Sequence, residues 1–253
     1  MKLQHRIIGE GKPLIILHGL FGSSDNWQTH AKRFSDYFQV ILVDQRNHGH
    51  TEWSEAFDYD LLAEDLHELI TDLGLDKVNL LGHSMGGKTV MRYAQLYPDT
   101  IEKMIVVDMG IKGYPPHHQQ ILQGIDALSA TAMDSRSAAE EILLPFVPEN
   151  GTRQFLMKNL YWIEKGKLAW RMNVKVLERE MPNILKALPE QEVFVQTLFI
   201  RGSLSNYITD EDIPEIEDQF PDSSFVTIEH AGHWVHAEQP EEFMNAVLEF
   251  LLR

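Results

Sequence analysis

The most distinctive chemical feature of the sequence is a serine between two glycines, in the stretch Gly82-His83-Ser84-Met85-Gly86. An apolar run from Val78 precedes it, and residues 88–97 have the composition of a helix. A strand, then G-x-S-x-G, then a helix is the context of a nucleophile elbow, in which the serine sits on a tight, strained turn. Glycine has no Cβ, so it allows that turn to close. We therefore predict that Ser84 is a nucleophile.

A serine hydroxyl is a poor nucleophile at neutral pH and needs a base to remove its proton. Of the twelve histidines, His233 is preferred because it follows the last strand-like run in a Gly-His-Trp turn. In folds with a nucleophile elbow, the histidine comes last in chain order. His236, one turn further on, is the rival. Four other histidines lie in polar loops and are expected to be solvated: His48, His50, His117 and His118.

The third group must be an acid that orients the histidine. Its usual place is the loop after the strand-like run 196–200, which contains no acid before Asp210. Asp108 instead ends the run that follows the elbow, and strand ends in a parallel sheet converge on one face. We therefore assign Asp108, with Ser205 as a candidate fourth hydrogen-bonding member. Asp210 and Asp44 remain alternatives, although the arginine two residues after Asp44 indicates a structural ion pair with a turn.

Acyl transfer also needs N–H donors for the negative oxygen of the tetrahedral intermediate. We expect one donor to be the backbone N–H of Met85, directly after Ser84. The loop His18-Gly19-Leu20-Phe21-Gly22 follows an apolar run and is expected to supply the second. Leu20 N–H is the first choice there, and Phe21 N–H is the alternative. Four side chains are expected to contact the substrate: His83, Phe21, Trp162 and Trp234.

Short apolar runs alternate with amphipathic segments along most of the chain. The runs predicted as strands are 2–8, 14–17, 39–43, 78–81, 103–107, 196–200 and 224–228. Between them, leucines at 62, 66, 69 and 73 share one helical face, and a further helix begins at Pro240. Unbroken apolar strands that alternate with helices indicate a mostly parallel sheet with helices on both faces. The sequence therefore predicts an α/β fold.

The alternation stops between residues 110 and 192, where no strand-like run occurs. This segment is rich in bulky apolar residues and is interpreted as several helices, for instance 136–146 and 152–162. We predict a core formed by 1–110 and 193–253, with a helical cap at 111–192 inserted between the sixth and seventh strands. Some apolar residues of such a cap would line an acyl pocket.

Composition limits the partners of the protein. The formal charge of −16 argues against binding to nucleic acid or to an anionic membrane surface. The absence of cysteine excludes disulfides, thiolate metal sites and a cysteine nucleophile. No stretch resembles a signal peptide or a transmembrane helix, which predicts a cytoplasmic protein without membrane insertion. Nothing in the sequence specifies an oligomeric state.

Taken together, these residues resemble the α/β-hydrolase superfamily and, within it, the bacterial YbfF-type esterases. The matching motifs are HGLFGS (18–23), D-x-RNHG (44–49), GHSMGGK (82–88), Asp108 and GHWVHAE (232–238), and the match extends into the cap around 170–173. The resemblance implies the α/β-hydrolase fold, with the acid after the sixth strand and a serine at the usual acid position, which fits Asp108 and Ser205. It implies hydrolysis of short- to medium-chain acyl esters, or of thioesters such as acyl-CoA, without a cofactor.

Two other functions remain open. The same Ser-His-Asp triad could serve C–C bond cleavage, perhydrolysis or hydrolysis of an acyl-carrier-protein thioester. Alternatively, the chain could be a non-catalytic binding module that retains the fold. The binding module is disfavoured because it predicts a missing triad member, whereas Ser84, His233 and Asp108 are all present.

Overall fold

The computed structural model describes residues 1–116, 118–131 and 134–253. All seven runs that were predicted as strands form strands, and a hairpin adds two more. The strands are β1 (Gln4–Ile8), β2 (Pro13–Leu17), β3 (Gln39–Asp44), β4 (Val78–His83), β5 (Ile101–Val107), β6 (Leu160–Glu164), β7 (Lys167–Trp170), β8 (Thr197–Gly202) and β9 (Ser223–Ile228).

In the described parts of the chain, seven of these strands form one sheet in the order β1-β3-β2-β4-β5-β8-β9. The edge strand β1 is antiparallel to β3, and every other neighbouring pair is parallel. The hairpin β6–β7 forms a separate antiparallel sheet. The predicted α/β fold with a mostly parallel sheet is therefore confirmed.

Helices connect the strands, as parallel pairing requires. They are α1 (Gln28–Phe34), α2 (Tyr59–Asp72), α3 (Met85–Leu96), α4 (Gln119–Ser129), α5 (Arg136–Leu143), α6 (Asn150–Met157), α7 (Val174–Arg179), α8 (Met181–Leu185), α9 (Ile213–Gln219), α10 (Val235–Glu238) and α11 (Pro240–Leu252). Asp58 begins α2 because its carboxylate accepts a hydrogen bond from Leu61 N–H at 2.8 Å.

The central strands are buried on both faces, and neighbouring residues of one strand belong to different core layers. Leu80 packs in one hydrophobic cluster, and Leu81 in the other. Ile105 and Val106 of β5 divide in the same way. Successive side chains of a strand point to opposite faces of the sheet, so these unbroken apolar runs fill a layer on each side.

The register of the central strands brings their carboxyl ends to the same edge of the sheet. His83 at the end of β4 pairs with Val107, and Val107 in turn pairs with Ile200 of β8. Ser84 and Asp108, the next residues after β4 and β5, therefore lie side by side. The loop after β8 begins at the same edge.

The segment between β5 and β8 differs from its prediction. It follows the fifth strand of the chain rather than the sixth, because only β1–β5 precede it in the described sequence. It also contains the hairpin β6–β7 in addition to helices. The helix predicted over 152–162 ends at Met157, and the aromatic and β-branched residues that follow form β6 instead. Gly166, at φ +79°, forms the turn of the hairpin.

Candidate active site

The turn between β4 and α3 holds Ser84 in a strained conformation. Ser84 has φ 53° and ψ −119°, which a residue with a side chain rarely adopts. The turn closes only with glycine at two positions. A Cβ on Gly82 would lie 2.1 Å from the Gly86 carbonyl oxygen, and a Cβ on Gly86 would lie 2.5 Å from the Leu17 carbonyl oxygen. This geometry has the form of a nucleophile elbow.

Three side chains from distant parts of the chain form one hydrogen-bonded line. Ser84 Oγ lies 2.9 Å from His233 Nε2, and His233 Nδ1 lies 2.8 Å from Asp108 Oδ2. Asp108 is fully buried, and Ser84 is 8% exposed. In this arrangement the imidazole can remove the serine proton. The carboxylate keeps the imidazole in its Nδ1–H tautomer and can stabilise the positive charge of the imidazolium that forms.

The Asp108 carboxylate is held by the last residue of β8 and by the loop that follows it. Its Oδ1 accepts a hydrogen bond from Gly202 N–H at 3.2 Å, and its Oδ2 accepts a close one from the Ser205 hydroxyl. Ser205 therefore contacts the predicted acid directly. Asp210 does not share this position: its side chain is 85% exposed and pairs with Arg201 at 2.6 Å.

Asp44 is buried but has a different role from the one inferred from its neighbours. Its carboxylate accepts hydrogen bonds from Ser24 N–H at 2.7 Å and His50 N–H at 2.9 Å. Arg46 instead pairs with Asp65 through two hydrogen bonds, at 2.8 and 2.9 Å. The predicted ion pair between Asp44 and Arg46 is therefore wrong: Arg46 pairs with Asp65, and Asp44 anchors two loops through their backbone.

His233 is held between neighbouring rings and a backbone contact. Tyr207 stacks on its imidazole with ring centroids 3.8 Å apart and an angle of 15°. His83 Nε2–H donates to the His233 carbonyl oxygen at 2.9 Å. Burial, together with the nearby His233, holds the pKa of His83 well below its usual value, so His83 is neutral. His83, predicted as a substrate contact, thus also fixes the backbone of His233.

The loop 18–22 is held by a second neutral histidine. Phe21 N–H donates to His48 Nε2 at 3.2 Å, which removes the alternative that Phe21 N–H is a free donor. Across residues 1–116, 118–131 and 134–253, no hydrogen bond uses the N–H of Leu20 or of Met85. These two N–H groups can therefore receive an oxyanion.

The remaining histidines do not all match their predicted surroundings. His50 is solvated as predicted, with its side chain 57% exposed. His48 is fully buried rather than solvated, and burial together with His18 lowers its pKa to about 3. His118 lines the cavity at Ser84, while His117 lies outside the described residues. His236 stacks on Trp27 with ring centroids 4.2 Å apart.

A cavity of about 140 Å³ opens beside Ser84 and His233. Its apolar walls come from the loop 18–22, the inserted segment and the residue after His233: Leu20, Phe21, Ile121, Phe155, Leu156 and Trp234. Phe21, His83 and Trp234, which were predicted to contact the substrate, all line it. An apolar cavity with a few converging polar groups is the usual form of a small-molecule site.

Trp162 is not part of this cavity wall, contrary to its prediction. Its side chain is 45% exposed, and it lies on β6 opposite Leu168. The predicted helix over 152–162 would have placed Trp162 on the same face as Phe155, two turns away. Because the helix ends at Met157, its contribution to the cavity wall is limited to Thr152, Phe155 and Leu156. Phe155 packs there on Trp234 with ring centroids 4.3 Å apart.

A larger open cleft of about 660 Å³ lies elsewhere, between the start of α2 and residues 183–190. Its charged groups include Arg92, which is paired with Asp60 at 2.5 Å. It contains no nucleophile–base pair among its described walls, so the smaller cavity is the candidate active site. Nowhere in the described chain do three or more His, Asp or Glu side chains group in a way that could hold a metal ion.

Several residues that shape the site carried no signal in the sequence. Asn159 donates a close hydrogen bond from its side chain to the Phe21 carbonyl oxygen and so connects the inserted segment to the loop 18–22. Tyr207 and His118 line the cavity from two further loops. These contacts join residues that are distant in the sequence, so no local spacing identifies them. The one hint in the sequence is that Tyr207 lies two residues after the predicted site residue Ser205.

A mostly parallel sheet, a serine on a strained turn after a central strand, and a histidine after the last strand define the α/β-hydrolase class. The chain belongs to the α/β-hydrolase fold family, whose sequence profile matches residues 12–240. The predicted resemblance to this family is confirmed.

Individual relatives cover nearly the whole chain. A solved structure of a marine microorganism esterase superposes with a TM-score of 0.95 and 42% identity, over 98% of this chain and 99% of that one. The sn-1-specific diacylglycerol lipase of Mus musculus is 36% identical over 94% of this chain and 80% of its own length. Esterase YbfF of Escherichia coli strain K12 is 34% identical over 94% of this chain and 92% of its own length.

Proposed function

We propose that this protein is a carboxylic ester hydrolase that cleaves short- to medium-chain acyl esters through an acyl-enzyme on Ser84. The observation that carries the proposal is the hydrogen-bonded line from Ser84 through His233 to Asp108 beside an apolar cavity. The relatives named esterase and lipase support the same class of reaction. The nucleophile, the base and the N–H donors are all protein groups, so this chemistry requires no cofactor.

In the first half of the reaction, His233 Nε2 takes the Ser84 hydroxyl proton as Oγ bonds to the ester carbonyl carbon. The carbonyl oxygen becomes an oxyanion and accepts hydrogen bonds from Leu20 and Met85 N–H. His233 then donates its proton to the leaving alcohol oxygen as the C–O bond breaks. Asp108, held by Ser205, stabilises the imidazolium during this step.

In the second half, water replaces the alcohol. His233 takes a proton from the water as its oxygen bonds to the acyl carbon, and the oxyanion forms again at the same N–H groups. Collapse of this intermediate releases the carboxylic acid, and His233 returns its proton to Ser84 Oγ. The sum is ester plus water to acid plus alcohol. A thioester can follow the same steps with a thiol as the leaving group.

We propose that residues 111–192 act as the cap of this site. Ile121, Phe155 and Leu156 come from this segment and line the cavity that contains Ser84. Asn159 also joins the segment to the loop 18–22 at Phe21. A cap with these contacts covers the reacting groups and selects the substrate by shape.

A hydrolysis assay with and without the nucleophile tests the proposal. A chain-length series of p-nitrophenyl esters is measured beside acyl-CoA, with purified wild type and Ser84→Ala. We expect Ser84→Ala to lower turnover by roughly 10⁴-fold or more. The matched control is Ser137→Ala, an exposed serine in α5, which should retain wild-type turnover. Turnover by Ser84→Ala within about tenfold of wild type, well short of the usual loss for a triad nucleophile, would refute the proposal.

A further inference from the structure

Two separate cavities meet at Ser84. The first is the cavity of about 140 Å³ already described, which is lined by His233 and is named here the histidine-side cavity. The second has a volume of about 20 Å³ and is named the methionine-side cavity. Its walls include Met85, Met109, Tyr59, Ile184 and Leu185. The two cavities share four lining residues, so they are neighbouring spaces that meet at Ser84. The shared residues are Leu20, Ser84, His118 and Tyr207.

The chemistry of the tetrahedral intermediate distinguishes the two sides. Its carbon carries Ser84 Oγ, the oxyanion, the leaving alkoxy group and the acyl chain. The alkoxy oxygen must lie beside His233 Nε2, because that nitrogen gives it a proton. With the oxyanion directed at the N–H groups of Leu20 and Met85, the acyl chain is left on the side away from His233.

We infer that the methionine-side cavity receives the acyl group and the histidine-side cavity receives the alcohol, an assignment that rests on the proposed ester hydrolysis. His233 lines the histidine-side cavity and is not among the described residues that line the methionine-side cavity. Met85, whose N–H faces the oxyanion, borders the methionine-side cavity.

The size of the methionine-side cavity limits the acyl group. A volume of about 20 Å³ is close to the ~10–15 Å³ that one water-sized group occupies on this measure. That is room for a methyl group, as in an acetyl ester. The wall is braced, because Tyr59 Oη donates to the Ile184 carbonyl oxygen at 2.9 Å. Met109, Ile184 and Leu185 are each at most 8% exposed, so closely packed neighbours resist enlargement.

The histidine-side cavity suits a larger, apolar alcohol. Phe21, Phe155 and Trp234 supply aromatic walls, and the volume is several times that of the other cavity. The substrate class that fits both sides is therefore an acetic ester of an apolar alcohol. Within the short- to medium-chain range, the geometry favours the shortest acyl chain.

Two isomeric esters test the assignment without a change in composition or polarity. Butyl acetate carries a two-carbon acyl group and a four-carbon alcohol, and ethyl butyrate reverses these lengths. We expect wild type to hydrolyse butyl acetate with a kcat/KM at least about 10-fold higher, because each surplus methylene in a filled pocket costs about that much. Acid release is followed in a pH-stat. Equal values, or a preference for ethyl butyrate, would overturn the assignment.

Variants of the cavity wall locate the origin of the preference. Met109→Ala and Ile184→Ala each enlarge the methionine-side cavity and should shift the kcat/KM ratio toward ethyl butyrate by about 10-fold. Both esters are measured with the same enzyme preparation. Partial unfolding lowers the two kcat/KM values by the same factor and leaves their ratio unchanged. The control Met104→Ala truncates a buried methionine of β5 in the core and should keep the wild-type ratio. Wild-type ratios in both wall variants would contradict the assignment.

The same assay separates this inference from the proposed function. Hydrolysis that requires Ser84 but prefers ethyl butyrate overturns the cavity assignment and leaves ester hydrolysis intact. If Ser84→Ala matches wild type on both esters, the proposed function fails, and the cavity assignment fails with it.

Discussion

The acid that contacts His233 follows β5, the neighbour of the strand β4 that precedes Ser84. Asp108 follows β5 directly and has φ 47°, so the backbone turns sharply where its carboxylate meets His233. Gly202 N–H at the end of β8 and the Ser205 hydroxyl in the loop after β8 hold the same carboxylate. A serine in that loop thus supports an acid on a neighbouring strand end, as the absence of any acid before Asp210 predicted.

Replacement of each candidate acid by its amide tests this assignment. We expect Asp108→Asn to lower turnover by about 10⁴-fold, because an amide favours the wrong histidine tautomer and cannot stabilise the imidazolium. Asp210→Asn removes only an exposed pair with Arg201 and should change turnover by less than about threefold. Steady-state kinetics on one ester compares the two. Similar losses in both variants would mean that Asp108 is not the acid of the triad.

Lys88 joins α3, the helix that follows Ser84, to both ends of the inserted segment. It lies on α3 and is fully buried, and its Nζ donates to the Lys112 carbonyl oxygen at 2.9 Å and closely to that of Lys186. The rings of Tyr114 and Tyr59 lie 5.1 and 5.8 Å from Nζ. Burial lowers the pKa of Lys88 to about 7. The element that begins at Ser84 is therefore tied to the two points where the segment enters and leaves the core.

This lowered pKa makes stability depend on pH. The pKa of a lysine in the unfolded chain is about 10.4, so between pH 7 and 9 the unfolded state binds more protons at Lys88 than the folded state. Stability from this group therefore rises with pH by about 2 kcal/mol across that window, because the slope reaches about 1.4 kcal/mol per pH unit only well above the folded-state pKa. Urea unfolding at pH 7 and pH 9 measures the change.

Lys88→Met should remove this contribution, so that its unfolding free energy rises by about 2 kcal/mol less than that of wild type between pH 7 and 9. Lys77→Met, which replaces an exposed lysine, should keep the wild-type rise. If Lys88→Met and wild type respond equally to pH, then Lys88 is not titrating in this window.

At the scale of the whole molecule, the elements with strong periodicity were predictable. All seven strands of the main sheet lie within a few residues of their predicted runs. The inner strands were predictable because strands buried on both faces leave an unbroken apolar signature. The meeting of Ser84, His233 and Asp108 followed from the convergence of strand ends and from chain order. The convergence of strand ends and the chain order of the three groups are common to the whole fold class, so they could be predicted without coordinates.

The inserted segment was not predictable to the same degree. Its apolar residues suit either a helix or a strand over short lengths, and the hairpin β6–β7 resulted where a helix was predicted. Trp162 was misplaced for that reason. Contacts such as Asn159 to Phe21 depend on how the segment packs on the core, which local sequence does not encode.

The chain carries a formal net charge of −16, and the absence of a nucleic-acid partner stays a prediction from that charge. Of the helices in the described chain, none has the length and apolar character needed to cross a bilayer. Small neutral esters meet no charge barrier at a molecule of this net charge. The uncharged isomers used above are therefore suitable probes of the site.

Covalent trapping of the nucleophile tests the central claim most directly. Wild type is incubated with a fluorophosphonate, which phosphonylates activated serines, and the modified peptide is identified by mass spectrometry. We expect one phosphonyl group, on Ser84, and no labelling of Ser84→Ala. Modification of a different serine in wild type, or labelling of Ser84→Ala at the wild-type rate, would contradict the claim that Ser84 is the activated nucleophile.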